Sequence, residues 1–459
     1  MFLEHRGLTS IVNNKNLPIS RCMSISESIA IETVNLSAVA ASAHNARTHS
    51  RKQIRQIATS IETFGFLVPV LINDAGELIA GHGRVQAASL LKLKSVPAIR
   101  ACHLSAAQQR AYRIADNKLT ENGGWDQALL AQEFEFLSDI GFDLSVTGFS
   151  MPEIDFTIEG AREAKAAPSR LDRDVIPGLG TVAVCEVGQV WHLGRHRLLC
   201  GDATLEASYQ VLMPGEVADL VFTDPPYNVK IAGFVTGRGQ AQHGDFAMGV
   251  GEMDQAAFTQ FLTSSLGAMA KVSRDGAIAY VCMDWRHLSE LLAAGGQAFS
   301  ELKNLCVWSK TNPGLGSFYR SQHELVFVFK VGSAPHTNNI GLGGQGRYRT
   351  NVWSYAGVSS LNPDRAQALQ MHPTVKPTAM VVDAIKDCSN RSDIILDGFV
   401  GSGTTLIAAE LTGRIARAIE YDPLYCDVVL RRYQHLTGHA PVLASTGETF
   451  EALEAQHGR

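Results

Sequence analysis

Six apolar runs recur along the second half of the chain: DLVFTD (219–224), AIAYVCM (277–283), NLCVWSK (304–310), ELVFVFK (324–330), DIILDGF (393–399) and RIARAIEYD (414–422). Helical stretches lie between several of them. A strand that is apolar on both of its faces cannot border water, so it needs a layer on each side. This alternation predicts an α/β domain over residues 181–437, a parallel sheet with helices on both faces. A chain of 459 residues leaves room for a second, smaller domain.

The first part reads differently. Residues 1–26 form a poorly specified extension. In 27–104, Ser50 can cap a helix whose stripe is Ile54, Ile57, Ala58, Ile61 and Phe64, with Gly65 as its stop. PVLIND and ELIAG then read as two strands turned at Asp74-Ala75-Gly76, followed by the helix GRVQAASLLKL and the strand VPAIRACHL. The reading is a small α+β domain. A helical appendage over 105–156 follows, with Ser105 as a cap, then a linker over 157–180 rich in charge, Ala, Pro and Gly. The tail 438–459 carries little pattern.

Composition excludes several classes. Hydrophobic residues make up 45% and charged residues 19%, which is a globular balance. No run approaches the ~18 apolar residues of a membrane span, so no membrane partner is expected. The eight cysteines stand singly with no CxxC pair, so no metal site is expected and the reading is a reduced, cytoplasmic protein. A net charge of -5 excludes binding nucleic acid through bulk charge, though not through a local basic groove.

Two loops carry chemistry. Asp224-Pro225-Pro226-Tyr227 ends the first apolar run. Proline fixes the backbone and removes its own N–H, so the tetrad offers a carboxylate acceptor, a fixed carbonyl acceptor and an aromatic face. An exocyclic amine on a flat base needs that set. The second loop is Asp397-Gly398-Phe399-Val400-Gly401-Ser402-Gly403-Thr404-Thr405, between a strand and a helix. Its glycines let a ligand approach the backbone, and Glu420, about twenty residues on, can accept from the two hydroxyls of a ribose. A nucleotide-hydrolysing P-loop is excluded because the GK[ST] lysine is missing.

With LLCGDA (198–203), DLVFTDPPY, VWSKTNP, QHELVFVFK, HPTVKP and DGFVGSGTT in this order, residues from about 190 to 437 resemble the S-adenosylmethionine-dependent amino-methyltransferases of DNA. The DPPY element precedes the FxGxG element, as in the circularly permuted β-type group. The resemblance implies a Rossmann-like mixed sheet and S-adenosylmethionine as cofactor. It implies that Asp224 and the Pro225 carbonyl, with Pro226 rigidifying the turn, accept the hydrogens of a flipped base, and that Tyr227 stacks on it. It places Asp202, Thr374, Lys376, Asp397, Phe399, Gly401, Ser402, Gly403, Thr404 and Glu420 around the cofactor. Target recognition falls in 331–371, where Arg347, Arg349 and Asn351 are of the types that read base edges or hold phosphates. DPPY resembles the N6-adenine version more than the SPPY of many N4-cytosine enzymes, so N6 methylation of adenine is expected, with N4-cytosine as the alternative. C5-cytosine chemistry needs a cysteine nucleophile, and no Pro-Cys pair occurs. Where the family commonly has Pro after the first Asp of the glycine-rich loop, this chain has Gly398. The resemblance also implies DNA as partner, a homodimer, and a cognate restriction enzyme or an orphan modifier.

Residues 30–104 resemble the ParB-like, sulfiredoxin-fold domain through NARTHS (45–50), the helix after it, and LIAGHGRVQAASLL (78–91). Gly81, Gly83 and Arg84, at a strand-to-helix junction, are the candidate anion site. His82 stands where nucleotide-binding members carry an acid. Arg47, Arg51, Lys52 and Arg55 lie in the stretch 33–61, which holds no Asp or Glu. A DNA-contacting or regulatory module is expected. The rivals are a non-catalytic DNA adaptor and a bifunctional nuclease-methylase.

Overall fold

The computed structural model describes residues 30–164, 174–228, 251–311, 313, 318–341, 347–356 and 375–457. The chain divides into two compact units, Met1–Gly124 and Trp125–Arg459.

The first unit carries a four-stranded sheet. Its strands are β1 (Ile31–Asn35), β2 (Val70–Ile72), β3 (Leu78–Ala80) and β4 (Ser95–Arg100), in the order β1-β4-β2-β3. Ser50 caps the helix Arg51–Phe64 by accepting from the Gln53 N–H, and Gly65 ends it at φ 81°. The β2–β3 turn is held by the Asn73 side chain, which accepts from the Ala75 and Glu77 N–H groups. Ser105 forms a capping box with Gln108 at the start of the helix Ala106–Glu121. That helix belongs to the first unit, so the expected appendage 105–156 is shared between the two units.

The second unit is built on one ten-stranded sheet. In chain order its strands are β5 (Val190–Leu193), β6 (His196–Cys200), β7 (Ala218–Thr223), β8 (Ser273–Met283), β9 (Glu301–Ser309), β10 (His323–Lys330), β11 (Val352–Ser354), β12 (Ile394–Asp397), β13 (Ile415–Glu420) and β14 (Val442–Leu443). Their spatial order is β11-β9-β10-β8-β7-β12-β13-β6-β5-β14. The central run β8-β7-β12-β13-β6 is parallel, and antiparallel pairs flank it on both sides. The sheet is therefore mixed, as the resemblance implied. Two cores lie against its two faces, one containing Phe222, Tyr280 and Leu406, the other Val221, Phe258 and Phe327. Alternate residues of β7 thus serve opposite cores, which explains its unbroken apolar run.

Two expectations are corrected here. The helix Met151–Ala164 crosses the expected boundary at 156, and its Asp155 is buried between Arg391 and Arg414, which ties that helix to the sheet unit. The stretch 438–459 is not an unpatterned tail. It returns as β14 and the helix Phe450–His457, with Leu443 and Phe450 buried in the core and the Phe450 ring edge-on to Trp191. Two apolar anchors in a polar stretch fall below what periodicity detects. Among the described residues, no helix is long and apolar enough to cross a membrane.

Candidate active site

The parallel run fixes the site. β7, β12, β13 and β6 are neighbours and point the same way, so the carboxylates at or just past their carboxyl ends line one edge of the sheet. These are Asp224 after β7, Asp397 closing β12, Glu420 closing β13 and Asp202 after β6. The carboxyl edge of such a sheet is where α/β folds bind ligands. β10 runs antiparallel to β8, with Leu325 opposite Met283, so its first residues His323 and Glu324 return to that same edge.

Asp224 and Tyr227 meet there. The Tyr227 hydroxyl donates to Asp224 Oδ1 at 2.8 Å. The remaining partners were not anticipated. Lys376 Nζ donates to Asp224 Oδ2 at 2.6 Å and lies 3.1 Å from Glu324 Oε2. The same hydroxyl lies 3.1 Å from Glu324 Oε2, so its single proton is shared between the two carboxylates, and Lys310 pairs with Glu324 Oε1. The Lys376 ammonium sits 5.2 Å from the centre of the Tyr227 ring. Lys376 was placed beside the cofactor by resemblance; its side chain is instead 4% exposed and bound to the tetrad. Thr374 lies outside the described residues.

Two carboxylates face two ammonium groups in this cluster, so its formal charge balances. Burial pushes the Asp224 carboxyl above its ordinary range, with Lys376 opposing. Burial acts on Glu324 too, but Lys376 and Lys310 together outweigh it and bring the group down to about 2. Burial would lower Lys376, yet Asp224 and Glu324 raise it, so it stays charged. Glu324 was missed because an acid heading an apolar strand reads as a solvated strand end. Only the antiparallel pairing of its strand with β8 puts its first residues at the active edge, and no local pattern announces that pairing.

The glycine-rich loop joins β12 to the helix Thr404–Thr412. Gly401 and Gly403 have φ of 54° and 92°, conformations that favour glycine. Asp397 Oδ1 accepts from Thr223 Oγ1 and from the Phe399 N–H, and burial pushes this carboxyl up to about 6. Glu420 accepts from the Gly401 N–H at 2.8 Å and the Asp422 N–H at 3.0 Å, so the loop and β13 are laced together. Burial pushes Glu420 up to about 7, against the pull of those two bonds. Phe399 packs on Phe261 with ring centres 5.7 Å apart.

Ser402 and Thr404 do not point outward. Both are buried, and Arg432 Nη1 donates to the Ser402 carbonyl at 2.9 Å, its hydroxyl at 3.3 Å and the Thr404 hydroxyl at 3.1 Å. Arg432 also forks onto Asp174 through two 2.7 Å bonds. Their hydroxyls brace the loop from behind, which leaves the backbone as its ligand-facing part. Asp202 Oδ1 accepts from the N–H and hydroxyl of Thr204 and so caps its own turn. At Gly398 a Cβ would lie 3.1 Å from both the Tyr209 hydroxyl and Met269 Sδ, so a side chain there would press on both.

Arg347 and Arg349, the expected DNA readers, are engaged within the protein. Their guanidinium groups are folded inward onto the helix Thr378–Cys388: Arg347 Nη2 and Arg349 Nε donate to the two oxygens of Asp387 at 2.7 and 2.9 Å. Arg349 Nη1 also donates to Tyr355, whose hydroxyl in turn meets Asp383. Asp387 is buried, and a buried carboxylate draws arginine in because an unpaired one is costly. Asn351 is exposed and tied to the β9 edge through the Leu305 carbonyl; Tyr348 is 85% exposed. The rest of the recognition segment, 342–346 and 357–371, lies outside the described residues.

In the first unit, Gly81 takes φ 97° at the start of the helix His82–Leu90. Gly83 is buried, and a Cβ there would lie 3.0 Å from Ile57 Cδ1 and 3.2 Å from His49. Among the described residues, His82 Nε2 and Arg84 Nε are buried without a hydrogen-bond partner. Of the basic stretch, Arg47 is already paired with Glu121.

The carboxyl edge of a doubly covered sheet thus brings together a glycine-rich loop and, beside it, a carboxylate, two prolines and an aromatic ring. Comparison with known proteins gives the family. A DNA methylase model of the N6/N4 type matches residues 218–431, a ParB-methyltransferase HTH domain matches 128–186, and a ParB N-terminal domain matches 23–118. The chain thus carries a domain of the N6/N4 DNA methylase type over 218–431, with a ParB N-terminal domain ahead of it. The ParB-like nuclease domain-containing protein YnaK of Escherichia coli is 54% identical over 68 residues, 15% of this chain and 78% of that protein. The type II methyltransferase M2.MboI of Moraxella bovis is 25% identical over 240 residues, 49% of this chain and 82% of that protein. The crystal structure of an M1.HpyAVI–SAM complex aligns with 51% of this chain and 97% of its own, at 19% identity and a TM-score of 0.39.

Proposed function

We propose that the chain transfers a methyl group from S-adenosylmethionine to the N6 amine of an adenine flipped out of duplex DNA. The observation that carries this reading is the Asp224–Tyr227 pair held at the carboxyl edge beside the glycine-rich loop. Asp224 and the Pro225 carbonyl accept the two amine hydrogens, which draws the nitrogen lone pair out of ring conjugation. Tyr227 stacks on the base and offsets part of the few kcal/mol that flipping costs. The carboxylate then takes the proton that the methylated nitrogen sheds, a step its raised affinity for protons favours.

The donor set at β12–β13 fits the cofactor. Glu420 offers acceptors for the ribose hydroxyls, the positive-φ loop at Gly401 and Gly403 leaves its backbone approachable, and Phe399 walls the same edge. S-adenosylmethionine supplies an activated methyl group. The protein's part is to hold the acceptor amine in line and exclude water.

Glu420 makes cofactor binding sensitive to pH. With its carboxyl at about 7 in the free protein, binding that prefers the carboxylate releases a proton below that pH. Affinity is therefore expected to rise with pH and level off above about 7, with Kd at about pH 6 roughly five- to tenfold weaker than at about pH 8. Calorimetric titration in buffers of different ionisation enthalpy checks this through the proton count; a flat Kd over that range would remove Glu420 from the ribose.

Asn351 and Tyr348, the exposed residues of the recognition segment, are proposed to face DNA, with Arg347 and Arg349 as its braces. The ParB-like domain is proposed as a DNA-contacting module through the Gly81–Arg84 helix start, where unpartnered His82 and Arg84 nitrogens support an anion site. Incubation with cofactor and unmethylated DNA, followed by identification of the modified base, tests the reading.

A further inference from the structure

We propose that Lys376 stands in for the substrate amine on Asp224, and that Glu324 is the positioning residue that receives it when the base arrives. This rests on the methyl-transfer reading above.

Both oxygens of Asp224 are engaged, one by the Tyr227 hydroxyl and one by Lys376 Nζ. The target amine needs an oxygen of that carboxylate. An ammonium at 2.6 Å is a stronger donor than a neutral amine, so an amine cannot displace it unless the ammonium has somewhere to go. Glu324 provides that place. Its Oε2 is already 3.1 Å from Lys376 Nζ, so the lysine reaches a full bond by a small shift of its terminal carbons. No buried charge is left alone by the shift: Lys376 keeps one carboxylate, and Asp224 exchanges an ammonium for an amine. Lys310 keeps Glu324 in register from the other side, and the Tyr227 hydroxyl touches both carboxylates, so the stacking ring is fixed to the same pair. The ammonium never leaves the neighbourhood of the Tyr227 ring face, which lowers the energy of the moved state as well. No covalent bond is made or broken in the exchange. The lysine also opposes the effect of burial on Asp224 and so favours its charged, accepting form.

A Glu324→Gln chain leaves Lys376 with Asp224 as its one carboxylate, so the lysine is locked where the amine must bind. The expected result is a loss of about 30-fold or more in kcat/KM for DNA, with cofactor affinity within about twofold of the unaltered chain because the glycine-rich loop is untouched. Glu324→Asp keeps the charge balance, and hence the fold, but withdraws the receiving oxygen by one methylene; a smaller loss in the same direction is expected. The discriminating measurement is the Glu324→Gln, Lys376→Gln pair. Without the lysine there is nothing to lock, so the double variant should be at least as active as Glu324→Gln alone. Methyl transfer by the unaltered chain tests the underlying reading separately. Unchanged kcat/KM in both Glu324 variants, or a double variant whose losses simply multiply, would overturn the proposal.

Discussion

Asp224→Ala is expected to abolish methyl transfer, a loss of at least about 10³-fold in kcat, while the protein folds and binds its cofactor. The expectation rests on what each partner of Asp224 keeps. Lys376 retains Glu324, so no ammonium is stranded in the interior, and Tyr227 retains its bond to Glu324 Oε2. The fold therefore loses little. The amine loses its charged acceptor, and no other carboxylate lies in hydrogen-bond contact with the Tyr227 hydroxyl among the described residues except Glu324, which the two lysines hold. Single-turnover methylation assays together with calorimetric titration of the cofactor separate the two quantities. Measurable activity near that of the unaltered chain would remove Asp224 from the chemistry.

Arg432→Ala is expected to act the other way round, on the scaffold first. Arg432 is 1% exposed and joins the glycine-rich loop to Asp174, itself only 5% exposed. Truncation removes two charge-assisted bonds from that carboxylate, which keeps its bond from Thr378, and takes a donor from the buried Ser402 carbonyl. Removing one side of a buried pair costs about 3–5 kcal/mol, which for a unit of this size lowers the unfolding temperature by about 10 °C. Cofactor affinity falls with it, because this guanidinium braces the Ser402–Thr404 side of the loop, which Glu420 and Asp397 do not reach. Scanning calorimetry and cofactor titration check both; an unchanged unfolding temperature would show that the loop is held by its helix alone.

Much of this was legible in the sequence, and the reasons differ by element. β7, β8, β10, β12 and β13 were readable because strands buried on both faces must be apolar throughout. The tetrad and the glycine-rich loop were readable because their residue types, Pro-Pro and closely spaced glycines, have backbone consequences whatever surrounds them. The partners that arrive from far along the chain were not. Lys376 meets Asp224 across 152 residues, and Arg432 meets Asp174 across 258. Nothing local marks such lysines and arginines as interior. Arg347 and Arg349 show the same blindness in reverse: arginines among glycines look like DNA readers until Asp383 and Asp387, more than thirty residues on, turn them inward. The β14 strand and the final helix escaped because a strand of two residues carries no period.

The acidic net charge also finds its physical place. Many basic side chains are neutralised within the protein, among them Arg347, Arg349, Arg391, Arg414, Arg417 and Arg432. Non-specific attraction to DNA should accordingly be weak and strongly salt-dependent, with tight association resting on the flipped base and its pocket.

The most direct test is chemical. The 459-residue chain is incubated with S-adenosylmethionine and unmethylated DNA, and the modified bases are identified and mapped at single-base resolution. The predicted result is N6-methyladenine at one recurring sequence, absent with Asp224→Ala. N4-methylcytosine would contradict the choice of base, and DNA left unmodified would contradict the catalytic reading as a whole.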